Sequence, residues 1–253
     1  MKYYEQLLDM GCFSRDDVYQ LTKNYDTAGT VLKNYQKKGY IMQIKRNLYV
    51  AINLAERQPV VSKFFIAGKI TPSAYVSHHA AFEYYGCANQ VSYQVEVSTE
   101  TPFTTFEFEG ITYMYIASRI SEGIIIQRGG IRITDLERTV IDGINDIDIA
   151  TGLEELLRCI ELIPLLNEEK LLSYLNTYNK QVLYQKTGYI LRHFQESFNL
   201  SEAFFIKCSE NIGKSTRYLT REKYGIYHNE WRLIAPADLD SITNKGVNYN
   251  AEI

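Results

Sequence analysis

The sequence predicts an α/β protein of the α+β kind, in which a small helical module with a hairpin precedes a larger mixed domain that ends in helices. Three observations predict it. The first sixty residues hold three short amphipathic stretches followed by two β-prone runs around a basic turn. Residues 93 to 133 are rich in short alternating runs, and the pattern after Asp148 is mainly helical. With 253 residues, 45% hydrophobic and 23% charged, the chain has apolar material for one large core or two modest ones.

Met1 to Met10 reads as a short helix with Tyr4, Leu7 and Leu8 on one face, stopped by Gly11. Ser14 then stands as an N-cap before Asp16 and Asp17, and Val18 and Leu21 give the second helix its apolar side, ending near Asn24. Asp26 or Thr27 is expected to cap a third helix, on which Ala28, Val31, Leu32 and Tyr35 form a core stripe at i, i+3, i+4 and i+7. Thr30, Lys33, Asn34 and Lys37 repeat that spacing two residues on, roughly 200° round the helix, so a cationic and polar stripe faces away from the core. Gly39 closes the helix. Tyr40 to Ile44 and Leu48 to Ala51 then flank the tip Lys45-Arg46-Asn47.

Three short helices and a hairpin with a cationic tip follow the order of a winged helix-turn-helix, whose third helix enters the major groove while the wing lies along the backbone. The expected contacts to double-stranded DNA are Thr27, Thr30, Lys33, Asn34, Lys37 and Lys38 from the helix and Lys45, Arg46 and Asn47 from the wing. Lysines neutralise phosphates or reach guanine O6/N7, and Asn34 has the donor and acceptor pair that matches adenine. A solvated helix face is the plain alternative for the lysines; the basic tip in the position of a wing favours DNA. This module is expected over residues 1–56, and the larger domain over 62–253.

Charge is divided in the same sense. Residues 1 to 58 carry nine Lys/Arg against six acids, +3, while the remainder is −6 within a total of −3. Cys12, Cys87, Cys159 and Cys208 lie far apart without a CxxC pair or a His/Cys cluster in sequence, so neither a metal site nor a disulfide framework is expected. No apolar stretch reaches the length of a signal peptide or a membrane span, which predicts a cytoplasmic protein without membrane association.

Ala55 to Val60 is polar, contains Pro59 and reads as a linker. Thr71-Pro72-Ser73 is expected to open a helix running to Tyr85 and ended by Gly86. Tyr93–Val97, Phe106–Phe108, Ile111–Ile116, Ile124–Gln127 and Ile131–Ile133 follow as strands of an antiparallel region. Thr134-Asp135-Leu136-Glu137 reads as a capping box with Thr134 as the cap. Helices are expected near 150–162, 167–179 and 182–198.

Candidate chemistry in this larger domain has structural alternatives at each point. His78 and His79 are adjacent, about 100° apart on a helix, so at most one serves a given site. Arg138 and Asp142 form an ordinary i, i+4 pair. Asp146-Ile147-Asp148 and Asp238-Leu239-Asp240 match a DxD carboxylate pair, but without the Gly-Ser phosphate-binding turn that nucleotidyl transfer also needs. Walker A, GxGxxG, GxSxG and HExxH motifs are all missing, so neither an enzyme nor a cofactor is expected. Tyr35, Tyr75, Tyr93 and Tyr113, among 21 tyrosines, fall at apolar positions and are read as core or interface. Lys207, Lys214, Arg217, Arg221 and Lys223 form a second candidate basic surface, facing phosphate or a protein partner, or simply solvated.

The strings Tyr75-Val76-Ser77-His78-His79-Ala80-Ala81, Glu96-Val97-Ser98-Thr99 and Ile133-Thr134-Asp135-Leu136-Glu137-Arg138-Thr139-Val140-Ile141-Asp142 resemble the antitoxin domain of the AbiEi family. The likeness spans about residues 1 to 145 and reaches the helical last third only by size and position. It implies a type IV toxin-antitoxin (abortive infection) antitoxin whose winged helix binds inverted repeats in its own promoter. It further implies a functional opponent, an AbiEii-type nucleotidyltransferase toxin, with or without direct contact. A stand-alone repressor without a toxin shares the same layout, and a metal-dependent nucleotidyltransferase-like enzyme is the remaining alternative.

Overall fold

A computed structural model describes residues 2–150 and 152–243. Met1, Thr151 and residues 244–253, which the expected first helix, the stretch from 150 and the end of the larger domain include, lie outside the described residues. The chain is α+β and divides into two units, one of residues 1–76, 93–117 and 126–133, the other of 77–92, 118–125 and 134–253.

The first unit opens with α1 (Tyr4–Met10), β1 (Cys12–Phe13), α2 (Arg15–Thr22) and α3 (Tyr25–Lys37). Gly11, at φ 66°, turns the chain between α1 and β1, and a Cβ there would meet Val61 Cγ1 at 2.4 Å. Ser14 and Asp17 make a reciprocal capping box at the start of α2. The cap of α3 is Asn24, not Asp26 or Thr27: its extended backbone lets Oδ1 accept the Thr27 N–H at 2.9 Å. Asp26 and Thr27 thereby fall inside the first turn, where an acid is favoured by the helix dipole.

A hairpin of β2 (Ile41–Lys45) and β3 (Leu48–Asn53) follows. β3 also pairs with β1, and β4 (Gln58–Pro59) adds to its far end through Ile52↔Pro59, so the expected linker is partly strand. Leu7, Phe13, Val18, Ala28, Leu32, Ile41 and Ala51 form one buried cluster, against which Val31 and Tyr35 pack. Five of these are large apolar side chains, a small core worth on the order of 10 kcal/mol of burial at about 1.5–3 kcal/mol each.

After α4 (Lys63–Ala67), the unit builds on a sheet of order β7-β8-β6-β5-β10-β9, from β5 (Tyr75–Val76), β6 (Gln94–Thr99), β7 (Phe106–Phe108), β8 (Ile111–Ala117), β9 (Ile124–Gln127) and β10 (Ile131–Thr134). The sheet is mixed rather than antiparallel: β6 runs parallel to β8, and β10 parallel to β5. The Glu109-Gly110 turn, both residues at positive φ, reverses β7 into β8, which returns the chain alongside β6 in the same direction. The helix expected from Thr71 is also displaced. Tyr75 and Val76 pair with Ser98 and Val97, and a central sheet position overrides the helix-forming run around them. Tyr93, read as core or interface, precedes β6 and is 75% exposed, so it is no part of the core.

The second unit is mainly helical: α5 (His78–Tyr84), α6 (Leu136–Asn145), α7 (Ile147–Ala150), α8 (Gly152–Glu161), α9 (Glu168–Tyr178), α10 (Gln181–His193), α11 (Gln195–Phe198) and α12 (Glu202–Glu210). β11 (Arg217–Tyr218), β12 (Ile226–His228) and β13 (Leu233–Ala235) make a small sheet before α13 (Asp240–Thr243). α6 is buried from Glu137 to Ile144. Its cap is Asp135, whose Oδ1 accepts the Arg138 N–H at 2.9 Å, in place of the expected Thr134. Thr134 Oγ1 instead meets Thr139 Oγ1, and Glu137 accepts from the Asn167 N–H and Lys170. Gly188 sits within α10 because the Trp231 ring lies where a Cβ would be, 2.1 Å away. Among the described residues no helix is long and apolar enough to cross a membrane.

Candidate nucleic-acid interface

The amphipathic period of α3 decides which side chains it offers. Ala28 and Leu32 are buried, and Thr27, Thr30, Lys33, Asn34, Lys37 and Lys38 are all exposed. Arg46 and Asn47 are exposed at the hairpin tip, where Asn47 takes φ 61°. Lys45 behaves differently. It is half-buried, its ammonium lies 5.4 Å from the Phe103 ring centroid, and burial lowers its pKa.

The tip is fixed to the helices by polar contacts. Asn47 Oδ1 accepts the Arg15 N–H at 3.0 Å, and Gln43, whose Nε2 donates to Lys45 O at 3.2 Å, accepts from Gln36 of α3 at 3.5 Å. Helices α2 and α3 are joined by the Tyr19–Tyr25 stack at 4.1 Å, by Arg15 Nη2 donating to Tyr25 O, and by the Tyr25 hydroxyl donating to Asp16. No sequence pattern marks Arg15 and Tyr25 as part of this surface. Their placement depends on the angle between two helices, which periodicity does not encode.

Beside the tip lies a cleft of about 850 Å³, whose lining includes Asp17, Lys45, Arg46, Lys69 and Arg132. Four cations against one acid make it a concave positive surface, where low-dielectric walls concentrate the field. Lys69 and Arg132 join it from far along the chain, with no local signal in sequence. Arg132 is held by donating to Pro72 O at 2.6 Å.

Lys207, Lys214, Arg217, Arg221 and Lys223 are exposed on α12 and around β11 of the second unit, together with Tyr218, Tyr224 and Tyr227. Lys223 Nζ lies 5.9 Å from the Tyr218 ring centroid, and the Arg221 N–H donates to Asp148 at 3.0 Å.

The histidines enter two separate clusters. His78, at φ 52°, has Nδ1 2.8 Å from Ser77 Oγ and Nε2 3.3 Å from Asp146, which also accepts from Arg119 at 3.0 Å. Ser77 and His78 are buried, so this reads as a polar lock within the core rather than a site open to substrate. Burial pushes the Asp146 pKa up most strongly, but the His78 hydrogen bond and charge, with Arg119 and Asn145, outweigh it and hold the carboxyl below its ordinary range. His79 Nε2 lies 3.1 Å from Glu155 Oε1, which Cys159 Sγ approaches to 3.6 Å. The fold thus gathers a His/Glu/Cys cluster that is scattered in sequence.

Arg138 donates to Asp142 at 2.7 Å and to the carbonyls of Ile120 and Glu122, and Tyr178 caps the same carboxylate. The DxD carboxylates part company: Asp146 is buried in the His78 lock, and Asp148 receives the Arg221 amide. Asp238 accepts from the Asp240 and Ser241 amides as a helix cap.

An α+β protein with an exposed polar helix face and a basic hairpin tip is the class these features define. Neither family models nor curated proteins yield a match to this sequence. Among solved structures, the chain is similar to the RV2827C protein from Mycobacterium tuberculosis, with a TM-score of 0.63 and 11% identity over 97% of this chain and 93% of that one. At that identity the likeness is one of fold.

Proposed function

We propose that the N-terminal helices and hairpin form a winged helix-turn-helix that binds double-stranded DNA, and that the chain is a non-enzymatic transcriptional autorepressor and antitoxin. The observation that carries the DNA reading is the exposed stripe Thr30, Lys33, Asn34 and Lys37 on α3, beside a tip whose Arg46 is exposed and whose Asn47 is tied to α2. A helix presenting cations and an amide on one face supplies both phosphate neutralisation and base-edge hydrogen bonds. Lys45, turned to Phe103, supports the tip in this reading, and Arg46 makes the phosphate contact. The cleft cations Lys69 and Arg132 extend the positive path from the tip.

The antitoxin role, in a cytoplasmic type IV system opposing an AbiEii-type nucleotidyltransferase, is supported by the sequence resemblance alone. The test is fluorescence anisotropy on a duplex from the region upstream of its own gene, against a scrambled duplex, for wild type and the Lys33→Ala/Lys37→Ala/Arg46→Ala variant. Preference for the upstream duplex, lost in a folded triple variant, supports the reading; equal binding by both proteins removes it. Co-expression with a nucleotidyltransferase encoded beside the gene tests the second role, with relief of growth arrest expected.

A further inference from the structure

We infer that His79, Glu155 and Cys159 form a binding site for a divalent transition metal, with zinc the ion whose chemistry fits the donors best. The three residues all belong to the helical unit. Glu155 and Cys159 are one turn apart on α8, at the i, i+4 spacing that places two side chains on one face. His79 comes from α5, so the three donors converge from two helices.

Two of the three donor pairs already stand at the spacing of a ligand set. Zinc bonds of about 2.0–2.1 Å to nitrogen or oxygen and about 2.3 Å to sulfur, in a tetrahedron, set the donors roughly 3.3–3.8 Å apart. Here Nε2 and Oε1 are 3.1 Å apart, Sγ and Oε1 are 3.6 Å apart, and all three donor atoms lie within 4.8 Å of one another. An ion at their centre needs adjustments of a few tenths of an ångström for the first two pairs. Imidazole, thiolate and carboxylate together select against calcium and magnesium, which take oxygen. His79 and Cys159 are buried while the Glu155 side chain is 25% exposed, giving an approach from that side. Three protein donors leave a fourth position for water.

A hydrogen-bonded His79–Glu155 pair with an adjacent thiol is the competing account, and ligation by the sulfur separates the two. The full-length protein, stripped with chelator, is titrated with Co²⁺ alone and then with Zn²⁺. One cobalt per chain is expected, with the near-ultraviolet thiolate-to-cobalt charge-transfer band, and zinc should abolish that band. In Cys159→Ser the band should be lost, and in Glu155→Ala, at a partly exposed position that tolerates change, cobalt affinity should fall at least about tenfold. Absence of the band in wild type, its persistence in Cys159→Ser, or unchanged affinity in Glu155→Ala would overturn the site.

Discussion

Asn47 Oδ1, at the tip of the β2–β3 hairpin, accepts the backbone N–H of Arg15 at the start of α2, 3.0 Å away. The contact joins a residue in a left-handed turn to the first helical amide after the Ser14 cap, one of the donors a helix leaves without an internal partner. It fixes where the basic tip stands relative to α2 and α3. Asn47→Gly keeps the turn conformation and removes the tether. Its unfolding free energy should stay within about 1 kcal/mol of wild type, because water replaces an exposed acceptor. DNA affinity should fall by about fivefold, the equivalent of about 1 kcal/mol, as measured by anisotropy at fixed salt.

Asn24, rather than Asp26 or Thr27, caps α3. Asn24→Ala should therefore cost about 1 kcal/mol in urea unfolding, while Thr27→Ala, which leaves its amide in place to be capped, stays within about 0.5 kcal/mol. The reverse order would return the cap to the position expected from sequence.

Arg138 is buried with Asp142, and its Nη1 donates to two loop carbonyls. Arg138→Met strands a buried carboxylate and should cost about 3–5 kcal/mol. The double variant Arg138→Met/Asp142→Leu should recover part of that loss. Equal destabilisation of single and double variants in denaturant unfolding would mean that the carboxylate is not what makes the single variant unstable.

Asp146 titrates below its ordinary range in the folded chain. A depressed folded pKa means the unfolded state takes up protons first, so this carboxylate stabilises above the unfolded pKa and the contribution is lost as pH falls through the folded value. Urea midpoints from neutral pH into acid should fall more steeply for wild type than for Asp146→Asn, with the two converging at the acid end. Parallel profiles would remove Asp146 from the acid sensitivity.

What the sequence made legible follows how local the cause is. The stripe Ala28, Leu32 with its exposed opposite Lys33, Asn34 and Lys37 is set by helical period alone, and the Ser14 cap by a hydrogen bond to a residue three positions on. The local pattern of Tyr75 and Val76 is helical, whereas their strand is defined by neighbours on both sides, Val97 and Ile133. The cap of α6 shifted by one residue because Thr134 is drawn into the strand and Glu137 is taken by Asn167 and Lys170. Lys45 stands at the wing tip by sequence, and its contact with Phe103, more than fifty positions away, has no local signal. Lys69 and Arg132 in the cleft, and His79 with Glu155 and Cys159, are gathered by tertiary contacts that no local pattern records. The i, i+4 spacing of Glu155 and Cys159 was the one available hint.

The salt dependence of DNA binding tests the central claim most directly. If α3 and the tip neutralise phosphates, the logarithm of affinity falls linearly with the logarithm of salt concentration, and each lost contact reduces the slope by about 0.9. The Lys33→Ala/Lys37→Ala/Arg46→Ala variant, with its fold verified, should show weaker binding and a slope shallower by about 2–3. An unchanged slope and affinity would place any DNA contact elsewhere on the protein and contradict the account.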